Sequence, residues 1–388
     1  MRNARIRALA TALVVMGALS SSPRAAHRGS RYFMYVGTYT QGAAKGIYGY
    51  RVDTSTGATT SIGLVAETPN PSFLVVHPNG RFLYAANEHD GEDAVGKHYT
   101  VSAFAIDRKT GALTLLNKVS SQGEGPCYVS MDGAGRTLLV ANYRSGSVAV
   151  LPVGADGRLA EATAVQQHPD PEPRTPPVRP HAHSVRPSPH DKFVYAPDPP
   201  LGRVYGYRFD PRAGTLAPTD PPFVQMRAGL GPRHVLFGLS GQFAYVNGEQ
   251  GSTITTFAYN AATGALTELQ TLSTLPAGFT GRSGTAELQI DQTGRFLYVS
   301  NRGDNSLALF AIDRRAGTLT PLGHLPTGGK VPRYFALDPS GRFLMAANQD
   351  SASVTINRVD AKTGRYELVQ TLTEIPNPVC IVFVPAAG

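Results

Sequence analysis

Residues 71–90 read PSFLVVHPNGRFLYAANEHD, two short apolar runs joined by His-Pro-Asn-Gly and closed by Asn-Glu. Alternating polarity with β-branched and aromatic enrichment, broken by a Gly turn, is the pattern of two antiparallel strands. The unit recurs as CYVSMDGAGRTLLVANYRSGS from Cys127, HVLFGLSGQFAYVNGEQGS from His234, AELQIDQTGRFLYVSNRGDNS from Ala286 and YFALDPSGRFLMAANQDSAS from Tyr334. A looser copy, AHSVRPSPHDKFVYAPDPP, starts at Ala182. The Asn or Asp closing each second strand falls at Asn87, Asn142, Asp198, Asn247, Asn301 and Asn348, a period of about 50 residues.

Each copy continues into a third alternating run and a Gly turn: VSAFAIDRKTGAL, VYGYRFDPRAGTL, ITTFAYNAATGAL, LALFAIDRRAGTL. A fourth strand follows each turn. Four antiparallel strands in so short a unit, repeated, predict the blade of a β-propeller. A string of β-sandwiches would need units of about 100 residues. First strands begin near Ser72, Cys127, Ala182, His234, Ala286, Tyr334 and Val379, and second strands end at Thr38 and at the six positions above. The two series are out of phase by one. Tyr32–Thr38 has no preceding first strand, and Val379–Val384 has no following second strand, so the termini are expected to complete one blade and close a seven-bladed, all-β ring.

Composition agrees. Only 16% of the 388 residues are charged, and 41 Gly with 30 Pro exclude helical bundles and coiled coils. An apolar share of 41% excludes a disordered chain. Part of the formal charge of +8 lies in Arg2, Arg5 and Arg7, ahead of an apolar run from Ala8 to Leu19 and the small residues Ser20–Ser22. This is the build of a secretory signal and too short to span a bilayer. Residues 1–26 are therefore expected to be signal and leader, residues 27–388 one propeller domain, and the mature protein periplasmic or secreted with no membrane segment. No Lys/Arg block marks a nucleic-acid surface. The Pro-rich stretch His168–Pro180 reads as an insertion before one blade.

In an antiparallel pair the start of the first strand and the end of the second share one end. These positions should ring one mouth of the central channel. First strands contribute His181, His183, Arg233, His234, Glu287 and Arg333; second strands contribute Glu88, His89, Arg144, Asp198, Glu249, Arg302 and Gln349. Such a mouth suits an anionic or oxygen-rich small molecule. Arg81, Arg295 and Arg342 recur in the Gly-Arg-Phe turns and read as structural, as do Asp107, Asp210 and Asp313 before the third turn. Arg233, Arg302, Glu249 and His183 break the repeat. His181 and His183 could be two metal ligands, but no carboxylate or Cys completes a set, and no metal or other cofactor is expected. A Gly-x-Ser-x-Gly elbow is absent. Cys127 and Cys380, on inner strands separated by a whole blade, are expected to be buried and free, since a bridge needs Cα atoms within about 7 Å.

Pro180-His181-Ala182-His183-Ser184, Gly231-Pro232-Arg233-His234, Ser300-Asn301-Arg302-Gly303 and Ala347-Asn348-Gln349-Asp350-Ser351, in this order, resemble the seven-bladed lactonase family of bacterial 6-phosphogluconolactonases and a fungal 3-carboxymuconate cycloisomerase. The likeness runs from Tyr35-Val36-Gly37-Thr38-Tyr39 to Asn377-Pro378. It implies metal-independent lactone hydrolysis with His183, Arg233, Glu249 and Arg302 as the catalytic set. His181, His234, Glu287, Arg333, Arg144 and Gln349 are assigned to substrate, a small and anionic lactone bound by a monomer. Two departures from the family pattern are Asn247-Gly248-Glu249 for Asn-Glu and Ala286-Glu287-Leu288-Gln289 for Ala-Glu-Ile-His. A carboxymuconate-type cycloisomerase and a non-catalytic periplasmic binding propeller are the alternatives.

Overall fold

Seven four-stranded antiparallel sheets and a two-residue ribbon pairing Glu92–Asp93 with Gly96–Lys97 form in a computed structural model that describes residues 31–89, 92–93, 96–97, 99–169 and 177–387. The proposed signal lies outside the described residues, as does the centre of the Pro-rich insertion. Blade 1 orders Thr59–Glu67, Gly46–Asp53, Arg31–Thr38 and, innermost, Pro378–Pro385. Blades 2 to 7 follow in chain order, their inner strands being Pro71–Val76, Pro126–Met131, Arg186–Pro187, Pro232–Phe237, Thr285–Ile290 and Pro332–Leu337. Neighbouring inner strands pack on one another around the channel. The termini meet as the phase difference requires: Tyr35 pairs Val382 and Val36 pairs Ile381.

Chemistry at the repeated turns joins the blades. The Tyr of the second strand reaches the next blade and donates to the carbonyl of the Gly in its third turn. Tyr35 bonds Gly111 (3.0 Å), Tyr84 Gly157 (3.1 Å), Tyr245 Gly317 (3.0 Å) and Tyr298 Gly364 (2.6 Å). The Phe two residues earlier packs against that Gly. At Gly317, φ is 73° and a Cβ would fall 2.2 Å from Phe243 Cδ1, so turn and packing both demand glycine. Asp107, Asp210 and Asp313 accept backbone N–H groups two residues on, as expected of turn formers.

Two features depart from the repeat. Blade 4 was expected to carry a full first strand from Ala182, yet its ladder is only Arg186–Pro187. The His183 N–H still bonds Pro197 O (3.0 Å), but Pro197 has no N–H to return the bond, and the His181 N–H goes to the Asp198 carboxylate (2.9 Å). In blade 5, Pro232 pairs Gly248 just as Pro71 pairs Asn87 in blade 2. Gly248 therefore fills the ladder place of the Asn, and Glu249 stands level with Glu88 rather than one residue beyond it.

Cys127 and Cys380 are buried and free. Each reaches only the adjacent inner segment: Cys127 Sγ lies 3.3 Å from His183 O, and Cys380 Sγ accepts the Leu74 N–H at 3.3 Å.

Candidate active site

Inner strands are bulged at their first residues, between Pro71 and Phe73, Pro126 and Tyr128, Pro232 and His234, and Pro332 and Tyr334. A bulge sets two residues against one and re-aims the side chains that follow. Arg233 and His234, which simple alternation would separate, meet through Arg233 Nη1 and His234 Nε2 at 3.2 Å. Both are buried.

Glu249 is the centre of the cluster. Its Oε2 lies 3.4 Å from Arg233 Nε and 4.0 Å from His183 Nε2, while its Oε1 accepts a hydrogen bond from Arg302 Nη2. Arg233 is 2% exposed and also donates to Ala286 O. The Glu249 side chain keeps 25% exposure, so the cluster opens to the mouth. The four residues drawn from the repeat-breaking argument thus come together from blades 5 and 6 and the segment leading into blade 4.

Electrostatics fix the charge states. Burial pushes the Glu249 carboxyl up, but Arg233, Arg302 and Arg333 together outweigh it and hold the group below its ordinary value. Burial drives His183 well below the usual imidazole range, and Arg233 and Arg333 push the same way. Arg233 falls to about 10 through burial, opposed by Glu249, and stays cationic at neutral pH. A carboxylate clamped by two guanidinium groups beside a neutral imidazole results.

The remaining predicted residues divide. Arg333 lies over the ring of Tyr39 (5.2 Å to the centroid), and the Tyr39 hydroxyl donates to Glu88 (2.8 Å). His181 and His183 both meet the Tyr143 ring, at 4.4 and 5.2 Å between centroids. His234 turns away from the mouth toward Glu287, with Nδ1 and Oε2 3.2 Å apart. Gln349 sits half-buried at the rim, and Arg144 is exposed, with no ion pair to the cluster among the described residues. Asp198, counted at the mouth, is fully buried and engaged by His168 Nδ1 at 2.8 Å. Among the described residues no group of three or more His, Cys, Asp or Glu side chains is placed to hold a metal.

Tyr39 and Tyr143 were not singled out by sequence reasoning. Each follows the residue that closes its second strand, the same ladder position as Glu88, Glu249 and Arg302, so the repeat itself carried the signal. Phe73, Tyr128 and Tyr334 were also missed. Their rings meet across the channel, Phe73 tilted on Tyr128 at 4.0 Å and edge-to-face with Tyr334 at 5.6 Å, and with His234 they floor the site.

A profile of the family described as lactonase, 7-bladed beta-propeller, matches residues 33–383. The chain belongs to that family. A 6-phosphogluconolactonase of Bacillus subtilis is 34% identical over 355 residues, covering 92% of this chain and 99% of that protein. The solved periplasmic gluconolactonase of Pseudomonas aeruginosa is 37% identical with a TM-score of 0.85, covering 92% of this chain and all of that one. A solved protein from Lactobacillus plantarum is 34% identical with a TM-score of 0.83, covering 91% and 99%. In this member of the family, the cluster around Glu249 lies at the mouth where second strands end.

Proposed function

We propose that the protein is a lactonase that hydrolyses the lactone of a sugar acid, without a metal, at the Glu249 cluster. The observation that carries this reading is the convergence of Arg233, Arg302 and His183 on one half-open carboxylate. Names of relatives supply the substrate class, a gluconolactone or its 6-phosphate. The leader-like N-terminus and the periplasmic relative support an exported, periplasmic protein.

The chemistry follows from competition for the arginines. In the free site Arg233 and Arg302 hold Glu249 anionic and weakly basic. When the lactone carbonyl oxygen takes up their N–H groups, the burial that pushes Glu249 upward is less opposed, and the carboxylate becomes a stronger base. Glu249 removes a proton from water, whose oxygen bonds to the carbonyl carbon. The two guanidinium groups hold the resulting oxyanion. Collapse breaks the bond from acyl carbon to ring oxygen, and the proton held by Glu249 passes to the leaving alkoxide. Neutral His183, 4.0 Å from Glu249, orients water and the leaving oxygen.

Hydrolysis of glucono-1,5-lactone and of its 6-phosphate, each measured above the uncatalysed rate, tests the proposal. Saturable acceleration of one or both is expected. Absence of acceleration with either, by protein of native secondary structure, rejects the reading in favour of a binding propeller.

A further inference from the structure

Below the aromatic floor the channel opens again. A cavity of about 340 Å³ is lined by Phe73, Tyr128, Arg186, Glu287, Gln289 and Tyr334. A wider hollow of about 580 Å³ at the opposite mouth shares Val75, Val76, Ser130 and Arg186 with it, so Arg186 stands at the throat between them. Phe73, Tyr128 and Tyr334 therefore roof this lower chamber while flooring the site above.

Arg186 is under-used. Among the described residues its one hydrogen bond goes to the Tyr128 hydroxyl at 3.2 Å, and no carboxylate of theirs lies within ion-pair distance. A guanidinium has five N–H donors, and those that half-buried Arg186 leaves unpaired are free to meet an acceptor in the cavity it lines. Glu287 does not supply it: 5% exposed, it faces His234 Nδ1 at 3.2 Å and Gln289 Nε2 at 3.2 Å, and its Oε2 has no aligned donor. The acids of the opposite mouth are engaged elsewhere. Asp132 accepts from Thr137 N at 2.7 Å and meets Arg136 at 3.5 Å, and Asp191 accepts from Gly133 N at 2.8 Å.

We propose that this lower chamber is a second ligand site, taking a small carboxylate- or phosphate-bearing molecule that enters by the mouth opposite the Glu249 cluster and is held by Arg186 with Tyr128, Gln289 and Glu287. Tyr128, accepting from Arg186, keeps its own proton to donate. Burial raises Glu287 to about 7 against the pull of Arg233 and Arg186. His234 is held neutral by burial and Arg233, and the buried Tyr128, Tyr334 and Cys380 are neutral as well. Below that value Glu287 is an acid that donates to the anion; above it, a carboxylate that repels it. Affinity falls as pH rises through about 7.

Calorimetric titration of the full chain with inorganic phosphate and, separately, with malonate tests this independently of the lactonase reading. With malonate, which does not itself change charge near neutral pH, wild type is expected to show a site that weakens between about pH 6 and about pH 8.5, on either side of the Glu287 value. Arg186→Gln should weaken that site by about tenfold or more, as loss of a charge-assisted pair does, while Arg302→Gln leaves it intact. Tighter malonate assigns a carboxylate ligand, and tighter phosphate a phosphoryl one. Wild-type affinity in Arg186→Gln, or binding lost only in Arg302→Gln, overturns the proposal. Should Arg186→Gln not fold, selenate soaked into wild-type crystals decides by its anomalous peak beside Arg186, whose absence overturns it equally.

Discussion

Replacing Arg233 by Ala is the sharpest probe of the Glu249 cluster, because it changes rate, pH dependence and stability in linked ways. Arg233 Nε is 3.4 Å from Glu249 Oε2 and the guanidinium is 2% exposed, so its field acts where little water screens it. Loss of one oxyanion donor costs about 10²–10³ in kcat, or roughly 2.7–4 kcal/mol. Among the groups that lower Glu249, Arg233 is the strongest, with burial opposing it. Its removal lets Glu249 rise, so the acid limb of kcat/KM, which reports the free protein, moves to higher pH. The stability sign follows. A carboxylate depressed in the folded state stabilises above its unfolded value, and that contribution is lost as pH falls through the folded one. With Arg233 gone the contribution shrinks, so the variant loses less Tm on acidification than wild type does. Arg233→Lys retains the charge without the planar fork, and should restore the acid limb more fully than kcat. Steady-state lactone hydrolysis across pH, with thermal melts of the same samples, reads all of this. Wild-type kcat with an unmoved acid limb would refute the assignment of Arg233 to the reacting centre.

Gly317→Ala meets Phe243 at 2.2 Å in a left-handed turn and should cost about 2–4 kcal/mol, seen as a lowered denaturation midpoint; an unchanged midpoint would contradict the inter-blade packing. Tyr245→Phe removes the buried bond to Gly317 O and should cost about 1–3 kcal/mol in the same assay, against nothing if the hydroxyl is idle. Denatured, unreduced protein should present two reactive thiols, and none would mean that Cys127 and Cys380 are bridged. Lactone turnover should survive prolonged chelation, whereas its loss and recovery with a divalent ion would replace the arginine mechanism with a metal one.

Much of the ring was legible because each blade repeats the same local decisions. A Gly turn, two alternating runs and a closing Asn recur, and the displaced phase of Tyr32–Thr38 and Val379–Val384 dictates the closing blade. The mouth followed from strand direction alone, and repeat-breaking positions pointed to His183, Arg233, Glu249 and Arg302. Blade 4 was read too regularly, because Pro197 and the Asp198 carboxylate redirect its backbone bonds in a way that apolar alternation does not encode.

What the sequence by itself determined was therefore the backbone: seven blades, their order, and the closing of the ring by the two termini. Period and turn chemistry are local, and they place Cα atoms. Only the tertiary structure decided which side chains meet. The bulge after Pro232 puts Arg233 and His234 side by side, and then sends one toward Glu249 and the other toward Glu287. Asp198 is taken by His168 across the insertion, and Phe73, Tyr128 and Tyr334 divide the channel into a site above and a chamber below. Those outcomes depend on contacts between side chains of different strands and blades, where rotamer, bulge and burial act together and no sequence period records them.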